Sequence, residues 1–186
     1  MTSNQDSIKR HKLSDGFIQI YTGNGKGKTT AAIGQAVRAA GFGLKTYIVQ
    51  FMKEFPYNEL NSLKLLSNWI TVEQFGGDEF VYKNEPPGKE EIEKARNGLA
   101  SAKEKMLSKE YDIIILDEVC VAIYFGLLSV DDVLPLIEQK PEDVELILTG
   151  RYCPDELMGR ADLITEMKEV KHYYQEGIRS RKGIES

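Results

Sequence analysis

Residues 23–30 decide the fold of this chain, and they read Gly23-Asn24-Gly25-Lys26-Gly27-Lys28-Thr29-Thr30. The stretch fits G-x-x-x-x-G-K-[ST], the phosphate-binding loop. Its glycines let backbone N–H groups converge on phosphate oxygens without side chains in the way. Lys28 is placed to reach the terminal phosphates, and Thr29 is placed to offer its hydroxyl to Mg²⁺. The stretch therefore predicts a site for the phosphates of a nucleotide, with an ordinary glycine-rich turn as the alternative.

The sequence on either side of the loop supports this interpretation. Phe17 to Tyr21 is rich in β-branched and aromatic residues, which is typical of a strand. Thr30 to Ala40 contains many alanines and no proline, so we expect a helix that ends with Gly41 as its cap. Strand, glycine-rich turn and helix form the context in which the motif is credible, because the helix then points its positive end at the anion.

The composition is that of a single globular domain. The chain has 186 residues, of which 41% are hydrophobic and 28% charged, and its formal net charge is −5. We expect a mobile N-terminal arm at residues 1–15 and one P-loop domain at residues 16–186. The acidic balance argues mildly against a nucleic-acid partner. No apolar run approaches the ~20 residues that span a bilayer, so no membrane partner is expected.

The two cysteines, Cys120 and Cys153, lie far apart and form no C-x-x-C pair, which argues against a structural zinc or iron–sulfur site. A nucleotide-binding chain without a recognisable signal peptide indicates a reducing compartment. We therefore interpret both cysteines as reduced thiols and expect a cytoplasmic protein.

The remaining apolar runs are short, nearly continuous and separated by helical stretches. Continuous hydrophobicity is typical of strands that are covered on both faces. Helical spacing appears at Lys89 to Leu107, and Ser129 is placed to cap another helix. The pattern predicts an α/β fold, with a mostly parallel sheet and helices on both faces. Further strands are predicted at Thr46–Phe51, Tyr111–Leu116, Val144–Thr149 and Asp162–Glu166.

A second motif follows the apolar run that ends at Leu116. An apolar strand that ends in an acid is the Walker B pattern, whose carboxylate holds Mg²⁺ directly or through water. Asp117 and Glu118 stand at that position, so together with Thr29 they are the predicted metal-binding residues. A solvated acidic turn after a core strand is the alternative.

Two arginines and two aromatic residues are further candidates. Arg151 follows a predicted strand, at the sheet edge where ligands bind in such folds, although a structural ion pair is its alternative. Arg38 lies on the helix after the loop, where a solvated surface charge is the alternative. Phe80 and Tyr82 lie in a loop-like stretch, although such aromatics more often belong to the core. Residues 52–61 and 76–89 are the expected functional loops.

These residues indicate a nucleotide-binding domain without choosing its reaction. Phosphoryl transfer by a kinase, hydrolysis by a small ATPase and nucleotide binding without catalysis all fit the two motifs. Most of the chain, from about Gly16 to Glu185, also resembles the P-loop type of ATP:corrinoid adenosyltransferase. Besides the loop and the Walker B strand, the resemblance is carried by Val49-Gln50-Phe51, Thr149-Gly150-Arg151, Ala161-Asp162-Leu163-Ile164-Thr165-Glu166-Met167, Val170-Lys171-His172, Gly177-Ile178 and Gly183-Ile184-Glu185.

The resemblance implies a single RecA-like P-loop domain and a particular reaction. The family moves the 5′-deoxyadenosyl group of ATP to the Co(I) form of a corrinoid, and inorganic triphosphate leaves. It implies ATP as co-substrate with Mg²⁺ or Mn²⁺, a homodimer, and a flavoprotein such as flavodoxin as reductant. The N-terminal arm lies where the family has a segment that can fold over the corrinoid.

The resemblance also implies roles for individual residues. Asn24 to Thr30 would bind the triphosphate, with Lys28 and Glu118 as the catalytic pair, and Thr29 and Glu118 would hold the metal. Arg38 and Arg151 match arginines that touch phosphate. Phe80 and Tyr82 match the corrinoid-binding loop pattern Gly-x-Gly-Phe-Thr-Trp, with tyrosine in place of the usual tryptophan.

Overall fold

A computed structural model describes residues 8–54, 57–77 and 85–184. Its centre is a six-stranded sheet in the order β3-β2-β4-β5-β1-β6, with every neighbouring pair parallel. The register places Ile20 of β1 opposite Leu148 of β5, and Ile115 of β4 opposite Ile147 of β5. The strands are β1 Ile18–Thr22, β2 Thr46–Phe51, β3 Ile70–Phe75, β4 Ile113–Asp117, β5 Glu145–Thr149 and β6 Leu163–Glu166.

Helices cover both faces of the sheet, as the continuous apolar strands predict. Alternate residues of β4 point to opposite faces, so Ile115 packs with the alanines of α1 while Ile114 packs with α3, α4 and α5. The helices are α1 Lys28–Phe42, α2 Asn58–Leu63, α3 Lys89–Leu107, α4 Val119–Tyr124, α5 Val130–Glu138 and α6 Asp155–Met158, with 3₁₀ turns at Lys64–Leu66 and Tyr173–Glu176.

The strand order fixes where a ligand can bind. The chain passes from β1 to β2, although these two strands are not neighbours in the sheet. The later strands β4 and β5 fill the two positions between them. Loops from adjacent parallel strands then diverge and leave a crevice at the carboxyl ends of the strands. The phosphate-binding loop follows β1, while Lys53, Glu118 and Arg151 follow β2, β4 and β5. The topology therefore brings all four segments to one edge.

Most elements agree with the sequence analysis. The helix predicted from Lys89 to Leu107 has those bounds, and Ser129 caps α5 through a capping box with Asp132. Cys120 and Cys153 are both free thiols. Among the described residues, no helix is both long and apolar enough to cross a membrane.

Two features differ from expectation. Helix α1 does not end at Gly41 but continues to Phe42, because Gly43 adopts the left-handed conformation (φ 93°) and its N–H bonds to the carbonyl of Ala40. Strand β3 was not anticipated. It is an edge strand in which only Ile70 is buried, so it lacks the continuous apolar run that marks the central strands.

The described part of the predicted N-terminal arm, residues 8–15, contacts the amino edge of the sheet. The guanidinium of Arg10 lies 2.7 Å from the carboxylate of Asp112, and the Lys12 ammonium lies 3.4 Å from its other oxygen. The His11 ring stacks on Phe42, with 4.5 Å between ring centroids. Because Asp112 immediately precedes β4, these contacts lie at the end of the sheet opposite the phosphate-binding loop.

Candidate functional site

A cavity of about 540 Å³ opens at the carboxyl edge of the sheet. Its floor is the phosphate-binding loop, and its walls come from the ends of β2 and β4, from helix α4 and from the C-terminal segment. Residues 25–30 line it together with Lys53, Glu118 and Arg151. Residues of both sequence motifs therefore line one cavity.

The loop has a shape that only glycine tolerates at its key positions. Gly23 and Gly27 have φ values of 93° and 117°, in the region that side chains disfavour. A Cβ on Gly25 would lie 2.6 Å from the carbonyl oxygen of Met167, which also accepts a 2.6 Å hydrogen bond from the Gly25 N–H. The segment after β6 thus holds the loop from behind. Asn24 is exposed on the loop surface.

Lys28 lies buried beneath the loop, although it is a charged side chain. Its ammonium donates to the carbonyls of Gly23 and Gly25, at 2.8 Å each. Burial lowers the pKa of Lys28, and the nearby Arg151 guanidinium lowers it further against the opposing pull of Glu118. A cation held in this way is already positioned and partly stripped of water, which favours binding of an anion.

Asp117 is the hub of a hydrogen-bond network and is 1% exposed. Its Oδ1 accepts from the hydroxyls of Thr29 at 2.8 Å and Thr149 at 2.7 Å. Its Oδ2 accepts from the ammonium of Lys53 at 2.7 Å and the amide of Gln50 at 3.2 Å. Asp117 therefore reaches the cavity mainly through Thr29 and Lys53.

Glu118 lines the cavity itself, because the backbone turns sharply after β4. Its φ of 64° is left-handed, and its N–H donates to the Thr149 hydroxyl at 2.9 Å. Burial raises the pKa of Glu118, and the Asp117 carboxylate raises it further, while Lys53 and Lys28 oppose the rise. Left-handed backbone at a residue other than glycine is strained, and such strain clusters at functional sites.

The oxygen atoms present fit a magnesium ion. Mg²⁺ keeps several waters and is commonly held by one or two carboxylates together with substrate phosphates. The Thr29 hydroxyl and the Glu118 carboxylate line one cavity, and Asp117 accepts from that hydroxyl. Within the described ranges no three His, Cys, Asp or Glu residues cluster into an all-protein metal site. The donor set therefore suits a metal that arrives with phosphates.

The structure separates the two predicted arginines. Arg151 lines the cavity and follows Gly150, whose φ of 141° and close approach to Cys120 leave no room for a side chain. Arg38 lies on the exposed surface of α1, ten residues after Lys28 or about 15 Å along the helix, and does not line the cavity. Phe80 and Tyr82 lie outside the described residues.

Lys53, His172 and Ile184 line the cavity although the sequence analysis named none of them as a site residue; Lys53 does lie in the expected functional loop 52–61. Lys53 follows the apolar strand β2 at its carboxyl end, so the rule that selected Arg151 would also have selected Lys53. His172 and Ile184 come from the C-terminal segment, and the Ile184 carbonyl accepts a 2.9 Å hydrogen bond from Lys26 of the loop. Only the fold brings that segment to the loop, more than 150 residues away in sequence.

Lys53 differs electrostatically from Lys28. Burial lowers the pKa of Lys53, but the carboxylates of Asp117 and Glu118 more than reverse this, so the pKa lies above its ordinary value. The wall beside it includes the aromatic ring of Tyr57, whose centroid lies 5.2 Å from the ammonium. Lys53 is therefore a stable cation at the edge of the cavity.

Comparison with known proteins gives a consistent set of relatives. The family model described as ATP:corrinoid adenosyltransferase BtuR/CobO/CobP matches residues 14–186. The corrinoid adenosyltransferase of Escherichia coli is 32% identical over 171 residues, which cover 91% of this chain and 85% of that protein. The corrinoid adenosyltransferase of Pseudomonas aeruginosa is 30% identical over 181 residues, which cover 97% and 88%.

Two solved structures share the fold at low identity. The flagellar accessory protein FlaH of Methanocaldococcus jannaschii aligns with a TM-score of 0.52 and 19% identity, over 89% of this chain and 78% of that chain. The RadB recombinase aligns with a TM-score of 0.56 and 12% identity, over 86% and 78%. These similarities confirm the predicted single RecA-like α/β domain.

Proposed function

Because the chain belongs to the ATP:corrinoid adenosyltransferase family, we propose that it transfers the 5′-deoxyadenosyl group of ATP to Co(I) of a reduced corrinoid. Triphosphate is released, and the reaction serves adenosylcobalamin biosynthesis or salvage. The observation that carries the proposal is the family match over residues 14–186. The proposal is supported by the cavity that residues 25–30, Glu118 and Arg151 line together.

The reaction needs a good leaving group more than it needs a protein base. Co(I) is a strong nucleophile, so the cobalt–carbon bond forms as the C5′–O bond breaks, and the electron pair goes to the triphosphate oxygen. Donors aimed at the developing negative charge lower the barrier. We assign this role to Lys28 and to the N–H groups of residues 24–30, which would grip the leaving group rather than a phosphoryl group in transit.

The other residues have supporting roles in this proposal. Thr29 and Glu118 would hold Mg²⁺ or Mn²⁺, with Asp117 behind Thr29, and the metal would supply charge neutralisation for the triphosphate. Arg151 would contact phosphate from the cavity wall. Arg38 is the weaker of the two arginine assignments, because it lies away from the cavity.

The corrinoid and protein partners rest on the resemblance. Phe80 and Tyr82 are proposed to contact the corrinoid. A homodimer, a reducing flavoprotein such as flavodoxin and a cytoplasmic location are proposed on the same ground. Sedimentation at micromolar concentration would test the dimer directly.

Product analysis tests the activity. The protein is mixed anaerobically with a reduced corrinoid and MgATP, and a matched sample omits the corrinoid. We expect a light-sensitive alkylcobalt product and tripolyphosphate only when both substrates are present. ADP and phosphate formed without corrinoid would instead establish a kinase or ATPase. No observation favours that alternative over adenosyl transfer.

A further inference from the structure

Lys53 is a buried cation that neither sequence motif includes. Its side chain is 10% exposed, and its ammonium lies 2.7 Å from Oδ2 of Asp117. The same side chain lines the cavity at the phosphate-binding loop and an adjoining one of about 600 Å³ that extends towards α2. Lys53 therefore stands where the two cavities meet, beside Thr29 and Glu118, which also line both.

Stability alone does not account for a lysine at this position. Asp117 already accepts hydrogen bonds from Thr29, Thr149 and Gln50. A buried ion pair is often no more stabilising than apolar side chains of similar volume, because both charges lose their hydration. An ammonium has three N–H donors, and Asp117 is its one hydrogen-bond acceptor among the residues that the structure describes.

We propose that Lys53, which follows β2 and is held by Asp117, is a second lysine ligand of the triphosphate in addition to Lys28. The inference deepens the proposed function and rests on it, since it names a further group that contacts the leaving triphosphate. As the C5′–O bond breaks and its electron pair stays on triphosphate, the N–H groups of Lys53 donate to phosphate oxygens. No proton is transferred.

The proposal explains why Asp117 is present as well. One carboxylate bonds both to Thr29 and to Lys53, so it fixes a loop hydroxyl and an ammonium in a constant relation to each other. Asp117 is then a positioning residue for Lys53. The competing explanation is that Lys53 merely neutralises Asp117 and never touches the ligand.

A double-mutant cycle separates these explanations. Binding of inorganic tripolyphosphate in MgCl₂ is measured by calorimetry for the full chain and for Lys53→Met, Asp117→Asn and Lys53→Met/Asp117→Asn. If Lys53 contacts phosphate, Lys53→Met weakens binding about 10- to 100-fold in both backgrounds. If Lys53 only neutralises Asp117, Lys53→Met has less than about a twofold effect once Asp117 is uncharged, and that result overturns the proposal.

Two controls guard the cycle. Lys53→Arg keeps the charge and should retain most of the affinity. Lys105→Met removes a partly exposed lysine of α3, which is paired with Glu104, and should leave tripolyphosphate binding unchanged. The double variant leaves no unpaired buried charge, so it stays informative if Lys53→Met alone folds poorly. Failure of the proposed function would look different, since the wild-type chain would then form ADP, or no alkylcobalt product, whatever the cycle shows.

Discussion

Two buried aspartates lie at opposite ends of β4, and they are used differently. Asp112 and Asp117 are each 1% exposed, and each is paired with a basic side chain at 2.7 Å. Asp112 binds Arg10 and Lys12, whose side chains are 32% and 52% exposed and close the amino edge of the sheet. Asp117 binds Lys53, which is 10% exposed and lines the cavity.

The difference shows that burial and ion pairing do not by themselves mark a functional acid. Asp112 also accepts a 2.7 Å hydrogen bond from the Lys45 N–H, so these contacts join three chain segments, and none of the partners lines the cavity at the carboxyl edge. Each partner of Asp117 is either a cavity residue or a neighbour of one. A functional acid is therefore distinguished by partners that line the cavity. The comparison predicts catalytic effects at the carboxyl end and stability effects at the amino end.

The largest effect is expected at Lys28. Lys28→Ala removes a preorganised donor to the leaving triphosphate, so we expect kcat/KM to fall about 10²–10³-fold. Lys45→Ala, at the amino end, is the matched control and should retain its activity. Alkylcobalt formation measures both. Unchanged activity in Lys28→Ala would show that the loop assignment is wrong.

Glu118→Gln should give the next largest effect. Loss of the charge that would hold the metal is expected to lower the rate about 10- to 100-fold. The variant should also have a higher free energy of unfolding than the wild type at pH 7, measured with EDTA present to remove divalent metal. The pKa of Glu118 is raised above 4.5 in the folded chain, so the folded state favours the protonated acid and loses stability as pH rises through the folded pKa.

Urea unfolding at two pH values checks this linkage. The gain in the free energy of unfolding should be present at pH 7 and vanish below pH 4.5, where Glu118 is protonated in both states. An equal gain at both pH values would show that the charge of Glu118 is not what costs stability.

Asp112→Asn should leave catalysis intact and weaken the fold. Arg10 and Lys12 lose their partner, but both are partly exposed and can regain water, so we expect a loss of about 1–3 kcal/mol. Urea unfolding measures the loss, and alkylcobalt formation should match the wild type at saturating substrate. A large fall in kcat without loss of stability would contradict the division between the two ends.

The sequence predicted the carboxyl end better than the amino end, for a physical reason. A phosphate site needs glycines, a lysine and an acid at fixed offsets, so Gly23 to Thr30 and Asp117-Glu118 are recognisable in isolation. Five of the six strands were also predicted; four of them lie inside the sheet and need continuous apolar runs, while the fifth, β6, is an edge strand that was predicted from the short run Asp162–Glu166. The edge strand β3 has no such requirement, because one of its sides faces solvent.

The remaining contributors depend on distant contacts. Lys53 acquires its meaning only when β2 lies beside β4 and brings its ammonium to Asp117. The network at Asp112 depends on residues 10–12 returning across about a hundred positions of sequence. The Asp112 network has no local signature in the sequence. Lys53 has one usable signal, its place after the apolar strand β2.

The smallest expected effect compares two left-handed residues, one at each end of β4. Lys109 precedes the strand with a φ of 59°, and Glu118 follows it with a φ of 64°. Glycine relieves the strain of this conformation, at some entropic cost, so Lys109→Gly should raise the free energy of unfolding by up to about 1 kcal/mol. The Lys12 ammonium donates to the backbone carbonyl of residue 109, which the substitution keeps, so this bond survives the change.

Glu118→Gly relieves the same kind of strain but also removes the carboxylate from the cavity. It should therefore gain stability while losing activity, whereas Lys109→Gly gains stability at unchanged activity. Urea unfolding and alkylcobalt formation, measured on both variants, give the test. If Glu118→Gly kept its activity, neither the carboxylate nor the strained backbone after β4 would be needed for catalysis. The two ends of the strand would then not differ in function.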